Sequence, residues 1–222
     1  MNKKVKKRFN FKRFFIFLLF LDFFITVIVF ISKIRVKTFL VKGNYRVSEE
    51  EILSNSYLLD YPSFIGFNTF KARKNIKKNI LIKDVHFDRK KDFTIVVNVI
   101  EHKLLFNIRS SNETITSEGK RLNINLEDVP TLINFVSDEM LSKMIDKFSY
   151  LNDDVLSKIS EIEYTPNMYD NERFVFYMRD SNMVYITLSK IKEFNNYNKI
   201  KDQIGTNSGI LYLDSGNYFE IK

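Results

Sequence analysis

The feature that most constrains this chain is a long apolar block near its N-terminus. The block runs from Phe14 to Ile31, and Asp22 is its one charged residue. As an α-helix its 18 residues span roughly 27 Å, close to the hydrocarbon thickness of a bilayer. We therefore predict a single transmembrane helix over residues 14–32, with everything that follows on one side of the membrane.

The charges around this block predict its orientation. Seven cations precede it, at positions Lys3, Lys4, Lys6, Lys7, Arg8, Lys12 and Arg13. Such a dense basic segment stays in the cytoplasm, although Lys33, Arg35 and Lys37 dilute the signal on the far side. A cleaved signal peptide has a shorter apolar core that ends in small residues, whereas bulky and charged residues follow this one. We predict a cytoplasmic tail over residues 1–13 and an uncleaved anchor.

Asp22 has two interpretations. A carboxylate at the centre of a transmembrane helix costs roughly 2.5–3.5 kcal/mol on insertion scales, so it does not face lipid while it is ionised. Asp22 either contacts a partner helix within the membrane or stays protonated in a strongly apolar helix. Both interpretations remain open at this point.

The net charge of +8 comes mostly from the tail. Without the seven tail cations and Asp22, 28 Lys and Arg residues oppose 26 Asp and Glu residues. The remainder of the chain is thus nearly neutral, while a nucleic-acid-binding domain keeps its positive field on the folded part. We predict no nucleic-acid partner.

Residue types that carry chemistry are scarce. The chain has no cysteine and two histidines, His86 and His102, whose separation does not match a metal-binding motif. The six glycines form neither a dinucleotide-binding nor a P-loop pattern. We therefore predict no catalytic, cofactor-binding or metal-binding residue, and a protein that is not an enzyme. A carboxylate pair for glycoside hydrolysis, drawn from acids such as Asp153 and Glu163, is the enzymatic alternative.

Residues 33–102 read as one small α+β unit. A strand over 34–41 ends at Gly43, and Ser48 with Glu51 has the spacing of a helix capping box. A second helix follows, since Ala72, Ile76 and Ile80 recur every four residues. Two strands, over 85–89 and 93–100, complete a βααββ order.

Residues 103–222 read as a mixed β-sheet domain with helical insertions. We predict strands over 104–108, 114–116, 159–164, 173–179, 183–188 and 209–214, helices over 137–148 and 191–204, and a hairpin turn at 180–182. The strand over 209–214 is predicted to be the last one and to lie at a sheet edge, where a partner strand can pair with it. The aromatic residues Tyr212, Tyr218 and Phe219 either contact that partner or close the core.

The order of several motifs resembles the FtsQ/DivIB family of bacterial cell-division proteins. The segments Val41-Lys42-Gly43-Asn44 and Val47–Ile52 are similar to the opening of its POTRA domain, and Ile80–Glu101 is similar to the close of that domain. Ser117–Leu122, Val129–Leu132 and Gly209–Asp214 with Tyr218-Phe219 resemble parts of its β domain. Lys91-Asp92 departs from the family, which often has a proline there.

This resemblance implies a bitopic scaffold of the divisome at the septum. It implies binding to membrane division proteins of the FtsL and FtsB/DivIC type, a contact with the septal peptidoglycan synthase, and a role in regulating septal peptidoglycan synthesis. Strand addition at the end of the β domain then assigns partner binding to Ile210, Leu211, Tyr212, Leu213, Tyr218 and Phe219, with the POTRA unit as a second contact region. The alternatives are another POTRA-containing envelope interaction protein and a membrane-anchored cell-wall hydrolase.

Overall fold

The computed structural model describes residues 10–221, which form an α+β protein. The described chain divides into two compact units between Glu101 and His102. Each unit has its own sheet and its own buried apolar cluster.

The chain begins with a long apolar helix, α1 (Phe11–Ser32). The Asn10 side chain caps it by accepting a hydrogen bond from the Arg13 N–H at 3.3 Å. Its 22 residues span about 33 Å, and it is the one described helix that is long and apolar enough to cross a membrane. Asp22 lies at its middle with an exposed side chain. The predicted tail cations from Lys3 to Arg8 lie outside the described residues.

The first unit continues as a three-stranded sheet with two helices. Its elements are β1 (Thr38–Lys42), α2 (Glu49–Asn55), α3 (Thr69–Ile76), β2 (Ile82–Arg89) and β3 (Thr94–Glu101). The central strand β3 pairs with β1 in parallel and with β2 in antiparallel orientation.

Two sequence predictions in this unit need correction. The first strand begins at Thr38 rather than at residue 34, because the segment before it pairs with a loop through the bridge between Arg35 and Ser63. The second helix ends at Ile76, and Ile80 lies in the turn before β2. The N–H groups of Lys78 and Asn79 donate to carbonyls three residues back, so the helical turn tightens and stops there.

The second unit is built on a nine-stranded mixed sheet. Its strands are β4 (Leu104–Ile108), β5 (Glu113–Thr116), β6 (Arg121–Leu122), β7 (Thr131–Leu132), β8 (Ile159–Tyr164), β9 (Arg173–Met178), β10 (Met183–Thr187), β11 (Gly209–Tyr212) and β12 (Tyr218–Ile221). Its helices are α4 (Asp138–Phe148), α5 (Asp153–Leu156) and α6 (Tyr197–Ile204). The spatial order of the strands is β12-β11-β10-β9-β8-β7-β4-β5-β6.

Aromatic side chains form the centre of this second core. Phe148 of α4 packs edge-on against Phe106 of β4 and Phe176 of β9, and Phe176 continues the contact to Phe194. All four rings are fully buried. The helix predicted over 191–204 is wrong in its first half, where a 3-10 turn at Glu193–Asn196 precedes α6, and a further 3-10 turn lies just before it at Leu188–Lys190.

Candidate functional site

The end of the described chain forms a hairpin at one edge of the nine-stranded sheet. The strand predicted to be last, β11, is not the edge strand, because it lies between β10 and β12. The chain turns back after Leu213, and Tyr218–Ile221 pairs antiparallel with β11. The edge available to a partner strand is therefore the outer side of β12.

The six predicted partner-binding residues divide between the two faces of this hairpin. Leu211 and Leu213 are 3% exposed and belong to the core, and Phe219 packs against the same core. The side chains of these three residues therefore close the sheet on its helix-covered side, and their role in partner binding stays a prediction. Side chains alternate along a strand, so the remaining three, Ile210, Tyr212 and Tyr218, lie on the opposite face.

A ladder of stacked rings crosses that opposite face and ends at the edge strand. Tyr185 of β10 stacks on Tyr212 with ring centroids 5.3 Å apart, and Tyr212 stacks on Tyr218 at 4.6 Å. The guanidinium of Arg173 lies 4.2 Å from the Tyr185 ring centroid and extends the ladder to β9. Tyr218, at 53% exposure, presents this ladder to solvent.

Two polar contacts hold the ladder in place. Arg173 donates from Nε to the Asp214 carboxylate at 2.7 Å, and both side chains are largely buried. Burial raises the pKa of Asp214, but hydrogen bonds from Arg173 and Ser215 outweigh it and keep that pKa below its ordinary value. The Tyr212 hydroxyl donates to Glu220 at 3.2 Å. The pKa of Tyr212 is raised, mainly because the hydroxyl is desolvated and secondly because it bonds to this carboxylate.

The main-chain directions at the edge follow from two hydrogen bonds. The N–H of Gly209 donates to the Asn182 side chain, and the N–H of Leu213 donates to the Tyr185 carbonyl. Odd-numbered residues of this segment therefore point their main-chain groups toward β10, and even-numbered ones point toward β12. Ile210 pairs with Glu220, so the main-chain groups of Glu220 point toward β11. Its neighbours in β12, Phe219 and Ile221, therefore point their N–H and C=O groups to the other side, away from the sheet.

A buried asparagine, which the sequence placed only in a turn, fixes the hairpin to the core. Asn182 is 2% exposed, accepts from Gly209 at 2.9 Å and donates to the Tyr197 hydroxyl at 3.1 Å. That hydroxyl donates in turn to Asp180. A polar residue in a turn predicts exposure, so the sequence carried no signal for this role.

The acids considered for hydrolysis are engaged in structural contacts. Asp153 lies 3.6 Å from the Lys103 ammonium. Glu163 accepts a hydrogen bond from the Tyr177 hydroxyl at 2.6 Å, which raises the pKa of Tyr177 to about 12. The first contact is an ion pair at the start of α5, and the second is a hydrogen bond between β8 and β9.

Comparison with known proteins identifies the family. Residues 34–102 match the family model described as "POTRA domain, FtsQ-type". The cell division protein DivIB of Brevibacillus brevis is 30% identical over 217 residues, which cover 92% of this chain and 82% of that protein.

The chain belongs to the DivIB family of cell division proteins.

Further DivIB proteins match over similar lengths. DivIB of Listeria monocytogenes is 28% identical over 191 residues (81% of this chain, 70% of the relative), and DivIB of Bacillus subtilis is 28% identical over 217 residues (93% and 81%). The solved extracytoplasmic domain of DivIB from Geobacillus stearothermophilus aligns with a TM-score of 0.40 and 21% identity, covering 46% of this chain and 92% of that structure. All of these names describe cell division proteins. DivIB membership and the apolar helix α1 together indicate a single-pass membrane protein.

Proposed function

We propose that this DivIB-family chain is a bitopic scaffold of the division machinery at the septum. Its N-terminus is cytoplasmic, and both folded units lie outside the cytoplasm. It binds membrane division proteins of the FtsL and FtsB/DivIC type and through them, or through the peptidoglycan synthase itself, regulates septal peptidoglycan synthesis. The POTRA unit is a second contact region, and Asp22 contacts a partner helix within the membrane.

The observation that carries this proposal is the open edge of β12. Phe219 and Ile221 direct unpaired main-chain donors and acceptors away from the sheet, as strand addition requires. The ring of Tyr218 lies beside them and offers an aromatic contact to the incoming chain. The partner strand is expected to extend the sheet from nine strands to ten.

A proline at residue 221 tests strand addition with little disturbance of the fold. Ile221 is 62% exposed, and its N–H points away from β11, so Ile221→Pro removes one outward donor and keeps the hairpin pairing. We expect the variant to lose recovery of the bitopic division proteins when the tagged full chain is purified from crosslinked native membranes. Mass spectrometry of the recovered proteins is the measurement.

Ile221→Val is the matched control, because it keeps the main-chain N–H and an apolar side chain. Equal recovery of the partners with Ile221→Pro and Ile221→Val contradicts strand addition at β12. If the unaltered chain recovers no bitopic division protein, the scaffold function itself is wrong.

A further inference from the structure

The POTRA unit is joined to the membrane helix without a spacer. The N–H of Ile34 donates to the Ile31 carbonyl at the end of α1, at 3.1 Å, and the Ile34 carbonyl accepts from the N–H of Phe64 at 2.8 Å. The same residue is thus bonded both to the helix and to the loop over 56–68 that connects α2 to α3. Because α1 crosses the bilayer, this loop is held at the depth of the lipid headgroups.

This loop exposes large apolar side chains. Tyr57, Leu59, Tyr61 and Ile65 are 51–57% exposed, although Leu58 between them is fully buried. Tyr57 and Tyr61 both have left-handed backbone conformations, with φ of 60° and 46°, which bulky residues rarely adopt. The backbone is therefore strained at Tyr57 and Tyr61, the two positions whose rings are exposed here.

The excess positive charge of the unit lies at one of its two ends. Since β1 and β3 are parallel, the end of the sheet that follows α1 also contains the turn between β2 and β3, whose Phe93 carbonyl accepts from the N–H of Lys37. Cations outnumber acids at this end, with Lys33, Arg35, Lys37, Lys90 and Lys91 against Asp60 and Asp92.

The opposite end of the sheet is close to neutral, because its acids lie beside the cations Lys42, Arg46, Lys78 and Lys83. There the Glu101 carboxylate accepts main-chain N–H groups of Tyr45 and Val47, and α2 begins with Glu49, Glu50 and Glu51. The helix α2 begins at this end and points toward the basic end, so the exposed loop that follows α2 lies at the basic end. The basic end is thus also the apolar end and the one bonded to α1.

We propose that this basic end of the POTRA unit, together with residues Tyr57, Leu59, Tyr61 and Ile65, docks onto the anionic lipid headgroups around α1. Tyrosine rings and aliphatic side chains enter the boundary between headgroups and acyl chains, where tyrosine is enriched. The lysines and Arg35 face the lipid phosphates, and each cation near such a surface adds to the attraction. The unit is then held against the membrane rather than free to rotate about its link to α1. The proposal rests on α1 crossing the bilayer and is independent of the division partners.

Depth-dependent fluorescence quenching tests this docking on the full chain. The chain has no cysteine, so Leu59→Cys places a single environment-sensitive fluorophore in the loop. The protein is reconstituted into vesicles of equal parts phosphatidylcholine and phosphatidylglycerol that contain a nitroxide lipid labelled near the headgroup. We expect a blue-shifted emission and strong quenching at position 59.

Tyr45→Cys is the matched control, because Tyr45 is 94% exposed and lies at the opposite end of the same unit. Its label is expected to emit as in water and to escape quenching. Equal emission and equal quenching at positions 45 and 59 overturn the proposal. A third label at Phe20→Cys reports on α1 and is expected to be quenched by a nitroxide placed deep in the acyl chains. Absence of that deep quenching also overturns the proposal, because α1 then does not hold the unit at the bilayer.

A charge-matched pair of variants tests the electrostatic part. The double variant Lys33→Gln with Lys91→Gln removes two cations from the basic end, and Lys42→Gln with Lys78→Gln removes two exposed cations from the opposite end. We expect the first pair to lose much of the quenching at position 59 and the second pair to retain it. Equal loss or equal retention in the two pairs overturns the assignment of the basic end to the lipid surface.

Discussion

Two glycines in different units allow main chains to approach more closely than any other residue permits. A Cβ at Gly43 would lie 2.3 Å from the Val99 carbonyl oxygen, and one at Gly209 would lie 2.0 Å from the Glu220 carbonyl oxygen. Gly43 also has φ of +80°, whereas Gly209 is required by the close approach alone. At Gly209 the approaching main chain is β12, so this one position controls the pairing of the edge strand.

Gly209→Ala is expected to weaken the β11–β12 pairing. The added methyl group collides with main chain and with the Phe219 ring, so overpacking costs about 1–3 kcal/mol of unfolding free energy. Hydrogen exchange of the β12 amides and chemical denaturation measure the effect. Gly216→Ala is the control, since its methyl group meets only the Tyr218 side chain at 3.2 Å. Equal protection of β12 in both variants contradicts the steric role of Gly209.

A second residue-scale prediction concerns Asp84 in the POTRA unit. Two Arg73 nitrogens donate to its carboxylate at 2.6–2.9 Å, and this contact is the main reason why its pKa falls from 3.8 to about 2. A depressed pKa stabilises the folded state above pH 3.8, and the contribution is lost as the pH falls toward 2.

We therefore expect Asp84→Asn to lower stability by about 1 kcal/mol or less at neutral pH, because Arg73 is partly exposed. The difference from the unaltered chain should shrink as the pH falls from 4 to 2. Urea denaturation at several pH values, followed by a signal specific to the POTRA unit, measures it. A difference that stays constant over this pH range contradicts the ion-pair explanation.

At the scale of elements, the spacing of apolar residues predicted those strands and helices that have a clear period. The alternation in β3 and the one-sided apolar face of α4 both produced the predicted elements. The segment after β10 misled the prediction, because its apolar residues Leu188, Ile191, Phe194 and Tyr197 recur strictly every three positions. A period of three fits 3-10 turns, and an α-helix needs a mixture of three and four.

That the end of the β domain binds a partner stays a prediction, and little of the geometry there could be predicted from the sequence. The aromatic residues Tyr212 and Tyr218 do lie together, stacked on one face. The strand β12 was missed because four residues near the end of the chain carry too little alternation to indicate a strand. The outward direction of the Ile221 main chain depends on hydrogen bonds of β11 to Asn182 and Tyr185, which are distant in sequence.

The N-terminus of α4 gives a prediction at this scale. The Ser137 hydroxyl oxygen accepts from the Met140 N–H at 3.2 Å and caps the helix. Ser137→Ala is expected to cost about 1 kcal/mol of stability and to speed hydrogen exchange in the first turn of α4. Ser142→Ala is the control, because that exposed hydroxyl bonds only to a carbonyl within the helix. A cost that is the same for both variants contradicts the capping role.

At the scale of the whole molecule, the described chain consists of an apolar helix and two units with separate cores. The absence of cysteine makes its orientation measurable with single cysteines. Tyr169 is 96% exposed. Tyr169→Cys should react with a membrane-impermeant maleimide in cells whose cell wall lets the reagent through and whose cytoplasmic membrane is intact. Asn2→Cys should react only after the membrane is permeabilised, and the reverse pattern contradicts the proposed orientation.

The two-residue strand β7 determines how the second unit responds to mechanical force. It joins β4 to β8 in parallel on both sides, so the strands on either side of it form one sheet through a few hydrogen bonds. Donors from Asn107, Arg109 and Ile133 supply main-chain bonds there. A pull that separates β4 from β8 is therefore borne by fewer bonds than a pull between β8 and β9, which pair along five positions. Under tension between the membrane and a partner bound at β12, the sheet is expected to yield first along β7.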